Sequence, residues 1–117
     1  MVVMNSACTA CTNTFNPTTS STYVASTTMD NLNEVDGSYA VGFKVTDRLS
    51  LDAANAFSVS DFNFLMGFSQ SGFTTLDGVL GFPRTIDTSY DLFYQKLYDN
   101  GLTPNTQFSL YMADSTV

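Results

Sequence analysis

Histidine is absent from these 117 residues, and cysteine occurs only twice. Without an imidazole a His-based catalytic triad is excluded, and two thiols alone do not close a tetrahedral zinc site. Cations are scarce too: Lys44, Arg48, Arg84 and Lys96 stand against eleven acids, for a net charge of −7. So few and so scattered positive charges cannot neutralise a phosphate backbone, which removes nucleic acid as a partner. No apolar run approaches the eighteen or so residues that mark a membrane-spanning helix. Disorder is excluded by what is plentiful. Ten phenylalanines, six tyrosines and a hydrophobic fraction of 44% supply ample surface to bury. The length fits one domain, or a piece of a larger one.

Cys8 and Cys11 form a C-x-x-C pair. In an oxidising compartment they would close a small loop disulfide, and in the cytosol they would invite a redox reading. A thioredoxin-like site needs a βαβ context after the pair, whereas Thr12-Asn13-Thr14-Phe15-Asn16-Pro17 is turn material. Disulfide and free structural thiols both remain open on these residues. The chain begins Met-Val-Val-Met and then turns polar, with neither the basic region nor the apolar stretch of a signal peptide. An oxidised pair without a signal implies a beginning upstream, so a fragment is the expectation.

The chain carries no internal repeat and no linker-like boundary. Residues 1–8 read as a strand ending at the cysteine loop, and residues 16–23 as a polar turn whose hydroxyls bond locally to backbone. Asp36-Gly37 is a turn signal, and Val41, Phe43 and Val45 then share one parity that Leu49 and Leu51 continue. This predicts a strand over 39–51 following a hairpin. Residues 56–67 are aromatic and β-branched and read as another strand. Val79-Leu80-Gly81-Phe82 suits a short buried strand closed by Pro83. One helix is predicted near residues 89–100. Thr88 or Ser89 would cap it, Asp91 sits in its first turn, Tyr90, Phe93, Tyr94, Leu97 and Tyr98 recur at helical spacing, and Gly101 stops it. Residues 107–112 alternate as a last strand. The fold class is all-β, sandwich or barrel-like, with one late helix.

These segments, in this order, resemble the amino-terminal lobe of pepsin-like aspartic endopeptidases. The Cys8 and Cys11 pair followed by Phe15-Asn16-Pro17 and Ser20-Ser21-Thr22-Tyr23 is similar to that family's cysteine loop and the stretch after it. Asp36-Gly37-Ser38-Tyr39-Ala40-Val41-Gly42-Phe43 resembles the second arm of the flap hairpin, and Asp47-Arg48-Leu49-Ser50-Leu51 the strand beyond it. Leu76-Asp77-Gly78-Val79-Leu80-Gly81 is similar to the family's F-D-G-I-L-G segment. The helix, Gly101-Leu102 and Phe108-Ser109-Leu110-Tyr111 match the elements that close this lobe. The resemblance covers about residues 1–113, and implies a disulfide between Cys8 and Cys11 and a secreted or vacuolar/lysosomal location.

The family's chemistry uses two Asp-Thr/Ser-Gly motifs, one from each lobe, whose carboxylates share a proton and activate a water on the peptide bond. Such a pair titrates as one coupled unit and works best in acid. This chain contains neither an Asp-Thr-Gly nor an Asp-Ser-Gly. By the resemblance, the first would lie several residues before Met1 and the second in a lobe after Val117. The chain is therefore expected to be a single partial domain, inert by itself, with no catalytic residue of its own. Asp87-Thr88-Ser89 is only superficially similar to the motif and matches a helix-capping loop.

Substrate contacts are implied at Glu34, Val35, Asp36, Gly37 and Ser38 of the flap and at Val79 and Leu76 of the S1 pocket. Glu34 matches the flap tyrosine and Val35 the following glycine, two departures that put a normal flap in doubt. The plainer readings are turn residues at Gly37, Ser38 and Asp77-Gly78, and core at Leu76 and Val79. Phe62, Phe64, Phe68 and Phe73 could line an apolar cleft, but core is the simpler assignment. No cofactor and no metal is implied, because the nucleophile is a side-chain-activated water. The partners implied are a peptide or protein substrate, reached through the complete protein, and a second lobe, with no membrane span. Unpaired sheet edges predict poor solubility in isolation.

Two other readings survive. One is a non-catalytic pepsin-fold protein that binds peptide or inhibits a partner, which the departures at Glu34 and Val35 favour. The other is an unrelated secreted β-domain. A single-lobe homodimeric protease is excluded, because each subunit would have to donate the missing aspartate.

Overall fold

The computed structural model describes residues 1–72, 76–83 and 89–113. Five strands form one sheet: β1 Val2–Met4, β2 Met29–Asn33, β3 Tyr39–Ser50, β4 Ser58–Ser71 and β5 Gly78–Val79, in the order β2-β3-β4-β1-β5. β1 runs parallel to β4, and the other pairs are antiparallel. Among the described residues one α-helix, α1, spans Phe93–Asp99, and a 3-10 turn covers Pro17–Thr19. The mostly-β architecture with one late helix agrees with the expectation.

The long β3–β4 ladder is bent at two places, between Val41 and Gly42 and between Asp47 and Leu49. These breaks explain the burial pattern. Alternation in a flat strand would put Val59 and Phe62 on opposite faces. Asp61, at φ 54°, is the extra residue of the second bulge and restores both to one face. Val59, Phe62, Phe64, Met66 and Val45 then form one core with Phe93 of α1, whose ring meets Phe62 edge-on at 6.3 Å. Val2, Met4, Ala40 and Leu65 form a second core on the opposite face. The sheet is thus apolar on both sides. The predicted parity of β3 holds for its inner residues: Phe43 and Leu49, half-buried, pack against the core that encloses Val45, while Ala40, of the other parity, is buried in the second core. Leu51 is exposed beyond the strand's end.

Gly42 is required by close approach. A Cβ there would stand 2.0 Å from the Met66 carbonyl oxygen and 2.7 Å from the Gly67 Cα. Gly37, at φ 86°, supplies the left-handed position of the β2–β3 turn.

Several expected elements differ in extent. The strand over 1–8 narrows to Val2–Met4, because the Asn5 side chain accepts the Ala7 amide at 2.9 Å and turns the chain into the cysteine loop. Strand pairing over 79–82 stops at Val79, as its partner β1 has only three residues. The helix begins at Phe93 rather than near 89, with Leu92 at the N-cap position and no side-chain cap. Asp91 is not in its first turn. Its carboxylate accepts the Asn63 amide at 2.8 Å and pairs with Lys96 at 3.6 Å, so it is turned towards β4. The helix ends as predicted: the Gly101 and Leu102 amides return to the Tyr98 and Leu97 carbonyls, a Schellman arrangement with Gly101 at φ 73°. Residues 107–112 are not a strand; among the described residues no strand pairs with them. The expectations at Phe73, Arg84, Asp87 and Thr88 lie outside the described residues.

Candidate functional site

A cleft of about 480 Å³ opens where the β2–β3 hairpin, β5 and the segment entering α1 converge. Val2 and Leu65 contribute to its lining from the sheet, with Leu32, Val79, Phe82 and Tyr90 around them. Glu34, from the hairpin turn, and Asp91, before the helix, are the charged side chains among the described lining. Glu34 and Val79, far apart in sequence, are therefore brought to one cleft.

The other predicted residues are placed differently. Val35 projects fully into solvent at the hairpin tip. The Asp36 carboxylate accepts both the Ser38 hydroxyl and the Ser38 amide, the latter at 2.9 Å. These donors, the hydroxyl first, hold its pKa below the ordinary carboxylate value. Ser38 is buried, and its carbonyl accepts the Glu34 amide at 2.8 Å, closing the turn. Asp36, Gly37 and Ser38 thus serve the turn and do not line the cleft. Leu76 is half exposed and sits by Val2, Met4 and Val79, away from the main cleft. Phe62 and Phe64 are core, and Phe68 packs on Phe43 at 5.4 Å.

Cys8 and Cys11 are joined in a disulfide, with a Cα–Cα distance of 5.5 Å. The loop it closes is tied to β5 by Asp77, whose carboxylate accepts the Thr12 amide at 2.8 Å and the Asn13 amide and side-chain amide at 2.9 Å. The Asn13 side chain first, then the Thr12 amide, lower the Asp77 pKa. The Asp77 carbonyl also takes the Met4 amide at 3.0 Å. Asp77 is therefore more than a turn residue: it joins the disulfide loop, β1 and the strand that carries Val79.

Three further groupings had no signal in the sequence. Asp47, buried in β3, accepts the Ser20 and Thr22 hydroxyls and the Arg48 amide. The serines and threonines of 16–23 thus reach a tertiary partner in addition to bonding locally. The Tyr90 hydroxyl donates to Asp30 at 2.6 Å, and the Lys44 ammonium lies 4.7 Å from the Tyr90 ring centroid. This fixes one wall of the cleft against β2 and β3. Phe82, Tyr94 and Phe108 form an aromatic group, with Phe108 4.7 Å from Phe82.

The cleft can hold an apolar side chain and present a carboxylate to it. Among the described residues no group of three metal-ligating side chains comes together, and none of their helices is long and apolar enough to cross a membrane. The site is thus carried by a disulfide-tied lobe built on one five-stranded sheet, with the β2–β3 hairpin beside an apolar cleft. The chain belongs to the eukaryotic aspartyl protease family, whose model matches residues 1–117. It is also 30% identical over 109 residues to the Probable aspartic-type endopeptidase opsB of Aspergillus oryzae. That match covers 86% of this chain and 21% of the relative, so the chain spans about a fifth of that protein's length.

Proposed function

We propose that this chain is part of the amino-terminal lobe of an aspartic endopeptidase, and that its cleft takes a side chain of the peptide substrate. The observation that carries the reading is the convergence of Glu34 and Val79 on one apolar cleft beneath the β2–β3 hairpin. An extended peptide lying there would place one apolar side chain against Val79, with Leu76 on the far side of that strand. Val35, Asp36, Gly37 and Ser38 would form the covering turn. Peptides with hydrophobic residues around the scissile bond are the expected substrates, and a secreted or vacuolar route fits the disulfide.

The chain carries no Asp-Thr-Gly or Asp-Ser-Gly, so it does not itself hydrolyse peptides. The coupled carboxylates would come from a motif before Met1 and another in a second lobe. A second reading is a pepsin-fold protein that binds peptide without cleaving it, and Glu34 and Val35 at the flap positions favour it. Sequencing the transcript outward from these codons separates the two. In-frame Asp-Thr/Ser-Gly motifs on both sides would support the endopeptidase. A transcript that starts at Met1, or lacks the first motif, would overturn it in favour of the binding protein.

A further inference from the structure

We propose that Glu34 makes the cleft selective for a peptide bearing a lysine or arginine side chain, whose aliphatic stem lies on the apolar wall and whose cationic head meets the Glu34 carboxylate. This rests on reading the cleft as the substrate site.

Glu34 is the chain's one glutamate. Its backbone is fixed on both sides, the amide donating to the Ser38 carbonyl at 2.8 Å and the carbonyl accepting the Gly37 amide at 3.0 Å. The residue lines the cleft. The acids around it are engaged: Asp36 with Ser38, Asp91 with Asn63 and Lys96, Asp30 with Tyr90. Among the described residues the Glu34 carboxylate has no such partner, and no lysine or arginine side chain lines the cleft with it. An anion held by a rigid turn at the mouth of an apolar cleft discriminates in two ways. A purely apolar occupant covers Leu32 and Val79 but strips water from Glu34 without replacing it. A lysine stem covers the same wall and brings its ammonium to the carboxylate. Because Glu34 is exposed, the pair is partly screened, and the preference is modest.

The test uses short peptides identical except for lysine or norleucine, scanned through each position and titrated against the protein expressed from its full reading frame. The best lysine peptide is expected to bind about two- to fivefold tighter than its norleucine twin. Glu34→Gln should abolish that difference while leaving norleucine affinity unchanged; its circular dichroism should match the parent, since the side chain has no partner to lose. Equal binding of the twins, or a lysine preference that survives Glu34→Gln, overturns the proposal and leaves the cleft as an apolar peptide site. Failure of every peptide to bind overturns the substrate-site reading together with it.

Discussion

At the scale of single residues, the sheet depends most on positions where an atom is missing or a charge is enclosed. Gly42 is the first kind. The Cβ of an alanine would sit inside the van der Waals radius of the Met66 carbonyl, and backbone cannot swing aside as a side-chain tip can. Gly42→Ala should therefore part β3 from β4 at the bulge and cost about 1–3 kcal/mol or more. A lowered urea midpoint at unchanged slope reads this directly, and an unaltered midpoint would show that the bulge absorbs the methyl. Asp47 is the second kind. Replacing it by alanine deprives the Ser20 and Thr22 hydroxyls and the Arg48 amide of their acceptor, whereas asparagine keeps one acceptor oxygen. Midpoints should fall in the order wild type, Asp47→Asn, Asp47→Ala, with the alanine variant down by about 1–3 kcal/mol. Equal midpoints for the two variants would mean that the buried oxygen is not what holds residues 20–22.

Among elements, the disulfide loop is informative because its cross-link spans only three residues and leaves the flanking chain unpinned. Asp77 supplies the tether, since its carboxylate receives the two amides just after Cys11. Asp77→Ala should raise the hydrogen-exchange rates of Thr12 and Asn13 with the disulfide intact, while exchange of the β3–β4 amides stays slow. Unchanged protection at Thr12 and Asn13 would leave the disulfide as the sole organiser. This tether also marks where sequence reasoning stops. The β2–β3 hairpin and the helix end were legible because their causes are local: Asp36-Gly37 for the turn, Gly101 for the stop. The helix start was not, because Asp91 bonds to Asn63, a residue on β4 that no local pattern announces. Residues 107–112 alternate like a strand, but a strand exists only against a hydrogen-bonding neighbour. Glu34 and Val79 were suggested by family resemblance alone, and nothing in composition or periodicity would have joined them. Tyr90 was assigned to the helix by its spacing, whereas its hydroxyl and ring are held by Asp30 and Lys44 at the cleft wall.

For the molecule as a whole, acid acts through two effects of opposite sign. Eleven acids against four bases leave the folded chain repelling itself at neutral pH, and protonation relieves that repulsion as pH falls. Asp36 and Asp77 act the other way. Both have folded-state pKa values lowered by the groups that donate to them. A depressed carboxylate contributes stability that is fully present above its unfolded value, and loses it as pH falls through its folded value. The two effects therefore separate along the pH axis. From pH 7 down to about 4, near the unfolded aspartate value, relief of repulsion acts while both tethers remain charged, so stability should hold or rise. Below about 3.8, the ordinary aspartate value, the cysteine-loop tether and the hairpin turn begin to release, and stability should fall. Thermal midpoints at pH 7, 5, 4 and 3 check the shape, and Asp77→Asn should flatten the drop at the acid end. Unfolding between pH 7 and 4 would show that relief of repulsion does not govern this range.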